Sequence, residues 1–327
     1  MSPDIDGLVA TLRAAGCVFA EDEAALLLEA ATSSRELDAL VAQRVSGTPL
    51  EYLLGWAEFR GLRVAVAPGV FVPRQRTGFL VEQAVSLALH DNAVAGGFPG
   101  VGRQNGDVGN VVAGSSTAMT SGDRISGRHA GTRGPNGDEA ESADGPDASH
   151  GGRTCVVVDM CCGCGALGLA TATELSAQGI RVELVASDVE PAAVACARRN
   201  LESLGASVYQ GDLFAPLPSN LAGRVDVLLA NVPYVPTAGI AEMPPEAREY
   251  EPHTALDGGP DGLDIFRRVV AAAPRWLAPG GRLLVESSRE QLPAATEILA
   301  HQGLTPTIAE SEELYATAVI GTWPTLD

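Results

Sequence analysis

Cys155-Val156-Val157-Val158-Asp159-Met160-Cys161-Cys162-Gly163-Cys164-Gly165 is the stretch on which the reading of the fold turns. Its β-branched start reads as a buried strand. An acid and a glycine-rich turn follow, and they open directly onto residues 166–176, whose spacing is helical. Glycines in such a turn let the backbone approach a ligand closely, and the helix N-terminus behind them offers unpaired N–H groups. A second strand is predicted over 181–186. Asp188 ends it, where a carboxylate can accept both hydroxyls of a ribose. Strand, glycine turn, helix, strand and acid together predict a nucleoside-cofactor site.

Downstream the alternation continues. Helix is predicted over 191–204, with Pro191 in its first turn, and then over 263–277 and 292–301. Strands are predicted at 208–209, 225–230, 282–286, 304–308 and 315–322. Repeated βα units predict an α/β fold built on a mostly parallel, doubly wound sheet. The last two strands have no helix between them, so an antiparallel terminal pair is expected.

Upstream, the first fifty residues read as short helices. Leu26, Leu27 and Leu28 suggest one. Ser33 and Glu36 form a capping box for another, in which Leu37, Leu40, Val41 and Val45 recur at helical spacing until Gly47 stops it. Leu62, Val64 and Val66 then alternate with Arg63 and Ala65. Pro68-Gly69 turns the chain into Val70, Phe71 and Val72, which predicts a β-hairpin. Residues 77–90 return to helical spacing. Residues 92–153 contain 15 of the 37 glycines and few large apolar residues, too few to offset the entropy of ordering, so a disordered insertion is expected there. The expected organisation is a helical region at 1–55, a hairpin and connecting helix at 56–91, the insertion at 92–153 and the αβ body at 154–327.

The 327 residues carry a formal charge of −19, and all 22 basic residues are Arg. Without Lys, Schiff-base chemistry, a P-loop lysine and a Lys general base are excluded. The negative charge also disfavours a nucleic-acid partner held by phosphate contacts. Met1 to Val18 shows no secretory pattern, and the apolar run 155–172 holds Asp159 and several glycines, a poor membrane span. The cysteines Cys17, Cys155, Cys161, Cys162, Cys164 and Cys196 form no disulfide framework. A reduced, cytoplasmic protein without membrane attachment is therefore expected. Cys161, Cys162 and Cys164 lack the paired spacing of a zinc site and have no His nearby, so they are read as small side chains filling a tight turn, with no metal expected.

Two cofactor classes compete for the glycine turn. Gly163-Cys164-Gly165-Ala166-Leu167-Gly168, with Asp188 twenty residues on, satisfies the dinucleotide fingerprint. The rival is S-adenosyl-L-methionine. Asp159 would be awkward beside a pyrophosphate and suits a cationic methionine moiety. The turn alone does not decide. The later segment does: strand 226–230 runs directly into Asn231-Val232-Pro233-Tyr234. The Asn side-chain oxygen and the next backbone carbonyl can grip both N–H groups of a planar amino group, and Tyr234 can pack over it.

Asn231-Val232-Pro233-Tyr234 is similar to the Asn-Pro-Pro-Tyr motif of amino-group methyltransferases, and the chain resembles the HemK-like family, the N(5)-glutamine methyltransferases that modify peptide-chain release factors. Gly47-Thr48-Pro49 with Tyr52 and Gly55, Phe59, the run from Pro68-Gly69-Val70 through Val72-Pro73-Arg74, Tyr250-Glu251-Pro252, Ala255-Leu256, Gly258-Gly259 and Asp261-Gly262-Leu263 carry the resemblance. It implies a Rossmann-like S-adenosyl-L-methionine-dependent methyltransferase sheet preceded by a small helical domain and a hairpin. It further implies that Cys161, Cys162, Gly163, Cys164, Gly165, Asp188, Leu213 and Asn231, with Asp159 and Asp212, hold the cofactor. Asn231, Val232, Pro233 and Tyr234 would hold the acceptor glutamine of a protein substrate such as a release factor, and a monomer is expected. Departures from the pattern mark a divergent member: Val232 stands for the first Pro, Gln75, Arg76 and Gly78 for Pro, Glu and Glu, and Cys161 and Cys162 for Gly and Thr. The alternatives are an amino methyltransferase acting on nucleic acid, a cofactor-binding regulator without transfer activity, and an NAD-dependent oxidoreductase, which leaves Asn231 to Tyr234 unexplained.

Overall fold

The computed structural model of the chain describes residues 5–95 and 153–325. The glycine-rich segment expected to be disordered lies outside the described residues except at its ends. Four short helices come first: α1 (Ile5–Ala14), α2 (Ala20–Ala30), α3 (Ser34–Val45) and α4 (Leu50–Leu54). They bury Leu12, Cys17, Ala20, Ala24 and Leu27 as a small core of their own, with Leu37, Leu40 and Leu53 against it. The predicted cap at Ser33 is present, since its hydroxyl accepts from the Glu36 N–H at 3.2 Å. The Glu36 carboxylate reaches one residue further back than a capping box requires, accepting from the Thr32 N–H at 2.8 Å.

The hairpin is present, but its turn is not at Pro68-Gly69. β1 (Trp56–Phe59) pairs antiparallel with β2 (Leu62–Ala65) across a two-residue turn at Arg60-Gly61, both in the left-handed region at φ 51 and 73. Two positive φ values make the turn whose twist matches that of the strands. Arg60 is held there by Glu174 (2.6 Å), Glu82 (2.9 Å) and the Gly78 carbonyl (3.2 Å). Val70 to Val72 form no strand and instead run as a loop toward α5 (Gly78–Ala95), which extends beyond the predicted helix end.

The αβ body follows in the order β3 (Cys155–Met160), α6 (Ala166–Ala177), β4 (Val182–Asp188), α7 (Pro191–Leu201), β5 (Ser207–Gln210), β6 (Val225–Ala230), α8 (Pro245–Tyr250), α9 (Asp264–Trp276), β7 (Leu277–Glu286), α10 (Leu292–His301), β8 (Thr305–Ser311) and β9 (Ala316–Thr322). The seven strands lie in the order β5-β4-β3-β6-β7-β9-β8. β8 and β9 are antiparallel as expected, and β9 also inserts antiparallel beside β7, which puts β8 at the edge. Both faces of the sheet are covered, so its central strands are apolar at successive positions. Val157, Leu184, Leu229 and Leu284 face the side with Phe59, Leu80 and Ala170, whereas Val158, Leu228, Leu283 and Val285 face Phe266, Val269 and Leu299.

This topology places the site. The chain winds outward from β3 to β5, then returns to the other side of β3 as β6, so the strand order reverses between β3 and β6. Ligands of open α/β sheets bind outside the carboxyl ends at such a point. β3 and β6 are parallel with Met160 opposite Ala230, so Cys161 and Asn231, the next residues of each strand, leave the sheet side by side.

The placement of the hairpin turn is testable. A carbon added at Gly61 meets nothing within 4 Å, so only the left-handed backbone is penalised. Gly61→Ala is expected to lower stability by about 1 kcal/mol in a denaturant titration, and an unchanged midpoint would contradict a turn at this position.

Candidate active site

A cavity opens at the carboxyl ends of β3 and β6. It is lined by Cys161 to Cys164, by Asp188 and by Asn231 to Val235, and from the other side by Phe71, Pro73, Arg74, Arg76 and Thr77. Of the residues predicted for the site, Cys161 to Cys164 after β3, Asp188 at the end of β4 and Asn231 to Tyr234 after β6 line one cavity. The wall built by the loop between the hairpin and α5 carries no such signal in the sequence.

The glycine turn is held from several directions. Cys161 takes φ 54, a conformation that costs a non-glycine residue about 1–2 kcal/mol. The next N–H fixes it by donating to the Ser187 carbonyl at 3.1 Å. Asn200 on α7 donates to the carbonyls of Cys164 (2.8 Å) and Ala65 (2.9 Å), tying the turn to the hairpin. Gly168, the last glycine of the fingerprint, is tightly enclosed, because a Cβ there would lie 3.0 Å from Asp159 Oδ2 and 3.1 Å from Leu184, so these neighbours would have to give. Cys162 and Cys164 are buried and Cys161 is half-buried. Burial pushes all three thiols up, so they are held as neutral packing groups.

Two acids flank this turn. Asp188 lines the cavity, its Oδ2 accepting from the Gly163 N–H at 2.8 Å and its Oδ1 from the Glu190 N–H at 2.9 Å. Each oxygen keeps lone-pair capacity for a further donor. Burial raises its carboxyl above the usual range, against the pull of those two bonds. Asp159 is fully buried and stands outside the cavity lining. Its Oδ2 accepts from the Gly168 N–H at 2.8 Å, and its Oδ1 has no partner among the described residues. Burial, with a contribution from Asp188, pushes its carboxyl up to about 8 against the Gly168 bond.

Asp212 and Leu213 are not brought into the cavity. Asp212 is exposed and ion-paired with Arg268. Leu213 is half-buried at φ 48, and its carbonyl accepts from the Ser187 hydroxyl at 3.4 Å.

Asn231 to Tyr234 leave β6 and lie on a bed of backbone. Val235 donates to the Leu256 carbonyl (3.1 Å), and Gly258 donates to the Val235 carbonyl (2.9 Å). A Cβ on Gly262 would fall 2.2 Å from the Tyr234 carbonyl, and one on Gly258 would fall 2.7 Å from the Pro233 carbonyl. Gln291 reaches over and donates to the carbonyls of Tyr234 (2.9 Å) and Asp261 (3.0 Å). Within this clamp the Asn231 carboxamide and the Val232 carbonyl have no hydrogen-bond partner among the described residues, and both residues line the cavity.

The Tyr234 hydroxyl is fixed by groups from distant parts of the chain. It accepts from Arg76 at 2.7 Å and donates to Glu286 Oε1 at 3.0 Å. Glu286 ends β7, has a side chain only 6% exposed, and also accepts from Arg76 (3.0 Å) and the Thr77 hydroxyl (2.6 Å). Burial and the nearby Glu286 carboxylate push the Tyr234 phenol up to about 12. A second buried acid, Glu251, accepts from the Val72 N–H (3.2 Å) and Arg74 (2.6 Å), and the Tyr52 hydroxyl donates to the Val70 carbonyl at 2.8 Å. These contacts suspend the loop 70–77 over the cavity. An acid at the carboxyl end of a predicted strand was the legible signal for Glu286, the same signal that marked Asp188. Nothing in the local sequence marks Gln291.

A methyltransferase-domain family model matches residues 152–323. The release factor glutamine methyltransferase of Geobacter sulfurreducens is 34% identical over 249 residues, 76% of this chain and 63% of that protein. The enzyme of the same name from Mycolicibacterium smegmatis is 31% identical over 265 residues, 81% of this chain and 70% of that one. The ribosomal protein uL3 glutamine methyltransferase of Burkholderia pseudomallei is 41% identical over 143 residues, 41% of this chain and 45% of that protein. The chain therefore spans under two thirds of the Geobacter relative and somewhat more of the Mycolicibacterium one.

Asp159 gives a pH signature. Its folded pKa lies above that of an unfolded aspartate, so the folded state binds the extra proton. Its contribution to stability is fully present below about pH 4 and is lost as pH rises through about 8. The stability of the wild type relative to Asp159→Asn, measured by denaturant titration without ligand, should fall across that window and level off above it. A difference independent of pH would place the buried proton elsewhere.

Proposed function

The chain belongs to the family of the release factor glutamine methyltransferases, and on that premise we propose that it transfers a methyl group from S-adenosyl-L-methionine to the side-chain amide nitrogen of a glutamine in a protein. The observation that carries the proposal is the pair of free acceptors, the Asn231 carboxamide oxygen and the Val232 carbonyl, beside the glycine turn at the point where the strand order reverses. A release factor is the substrate class named for the relatives that match most of the chain, and it is the substrate class proposed here.

The residues fit the cofactor. Asp188 has acceptor capacity for a ribose, and the turn from Cys161 to Cys164 lines the cavity beside it. When bound, S-adenosyl-L-methionine presents its methyl on a sulfonium, a very good leaving group. The rest is positioning. An amide nitrogen is a poor nucleophile because its lone pair is delocalised into the carbonyl, so its orientation matters most. Asn231 and the Val232 carbonyl accept the two N–H groups of the glutamine and aim the nitrogen. The Tyr234 ring, held by Arg76 and Glu286, covers its flat face. Positive charge develops on the nitrogen during transfer, and the two acceptors stabilise it there. No strong base is required, because the product nitrogen releases its proton to water. The six free thiols suit a reducing compartment, and we place the protein in the cytoplasm. No described helix is long and apolar enough to cross a membrane.

Positioning and cofactor binding are separable. Asn231→Ala should lower methyl transfer to a release factor by about 100-fold or more while changing calorimetric affinity for S-adenosyl-L-methionine far less. Asp188→Ala should do the reverse, weakening the cofactor through the loss of hydrogen bonds to a charged acceptor, each contributing roughly 1.5–3 kcal/mol. Equal loss of affinity in both variants would remove the acceptor role from Asn231.

Val232 tests the acceptor loop itself. Val232→Pro keeps the carbonyl and restricts φ, so transfer to a glutamine-bearing protein should be retained or rise. Loss of transfer with intact cofactor binding would mean that the valine N–H or side chain belongs to the acceptor site.

A further inference from the structure

The concave surface does not stop at Tyr234. Arg76 and Tyr234 line the cavity just described and also line a second depression, formed by the segment after β7 and by the β8–β9 hairpin. Three features of that depression are left unused by the fold. The Ser287 N–H extends the sheet by donating to the Thr317 carbonyl at 3.1 Å, yet its side chain, in a residue only 7% exposed, has a hydroxyl with no partner among the described residues. A buried polar atom without a partner is costly. Tyr315 at the hairpin tip is 91% exposed at φ 48, an aromatic side chain presented to solvent by a strained backbone. The charge is also one-sided. The cations on this face, Arg76 and Arg289, are engaged by Glu286 and Glu310, whereas Glu290 and Glu312 carry no ion pair among the described residues.

We propose that this depression receives the stretch of substrate protein flanking the acceptor glutamine, and that the stretch carries a basic side chain. The inference rests on the reading of the first cavity as a glutamine site, and it adds the class of sequence that the enzyme selects. A glutamine side chain gripped at Asn231 must leave its own main chain outside the cavity. Extended chain advances about 3.3 Å per residue, so the residues beside the glutamine pass over the shared wall of Tyr234 and Arg76 into the depression. There the flanking backbone meets the segment from Ser287 to Glu290. The Tyr315 ring is available to the aliphatic stem of an Arg or Lys, with Glu290 and Glu312 near its charge.

The test uses short fluorescent peptides with a central glutamine flanked by Arg or by Glu, bound to the full chain saturated with S-adenosyl-L-homocysteine and read by anisotropy. The Arg-flanked peptide should bind roughly tenfold tighter at low ionic strength, as expected for two weak surface ion pairs, and the preference should shrink as salt is added. Glu290→Arg with Glu312→Arg should abolish or invert the preference, and Tyr315→Ala should weaken the Arg-flanked peptide. A central alanine in place of glutamine should leave the flank preference in place. Equal binding of the two peptides by the wild type, or a preference that survives the double charge reversal, would overturn the proposal. The same peptides incubated with S-adenosyl-L-methionine separate the two readings. Flank-selective binding without methylation would sink the glutamine assignment and leave the groove, and methylation without flank selectivity would do the opposite.

Discussion

The structure depends on a backbone-to-backbone clamp. The loop that leaves β6 at Asn231 would be unsupported beyond the last ladder residue, Ala230, had the segment 256–262 not been laid against it with no side chains between. Gly262 and Gly258 leave no space for a carbon against the carbonyls of Tyr234 and Pro233. Val235 donates to the Leu256 carbonyl and accepts from the Gly258 N–H across the contact, and Gln291 closes it from the third side. The clamp makes the valine at 232 intelligible. A proline there would restrict φ from within the loop; here restraint comes from outside, and the Val232 carbonyl stays free to accept. The two glycines and Gln291 therefore belong to the same device as Asn231, although none of them needs to touch a ligand.

Buried acids extend the same logic to the rest of the site. The net charge of −19 suggests a chain with a merely acidic surface, yet three of its carboxylates sit in the interior at the joints of the fold. Asp159 holds the first turn of α6. Glu251 holds Val72 and Arg74, and Glu286 holds Arg76, Thr77 and Tyr234. The latter two fasten the loop between hairpin and α5 to the sheet and so make the second wall of the cavity. A buried carboxylate is tolerable only when hydrogen-bonded or paired, so loss of Arg76 or Arg74 would leave a charge stranded beside the site.

Much of this was legible in the sequence because it is local. β3, β6 and β7 announce themselves as apolar runs since both sheet faces are covered, and Asp188 and Asn231 are polar residues at the ends of such runs. The cap at Ser33 was legible for the same reason, because its partner is three residues away. The hairpin turn was not, because Arg60 gives no sign of a left-handed backbone. Its conformation is held by Glu174, which follows far along the chain. Nor could spacing reveal that β9 inserts between β7 and β8, or that Arg76 meets Glu286, 210 residues later. Asp212, which the family resemblance implies to help hold the cofactor, is ion-paired with Arg268, a partner that only the tertiary structure brings near.

The central claim is that the free acceptors at Asn231 and Val232 are arranged for a carboxamide nitrogen. The most direct measurement is transfer of an isotopically labelled methyl group from S-adenosyl-L-methionine into bacterial extract by the purified full chain, followed by mass-spectrometric mapping of the modified residue. The account predicts label on the side-chain nitrogen of a glutamine in a protein. Label recovered on the exocyclic amino group of a nucleobase, or on any protein side chain other than glutamine, would contradict it.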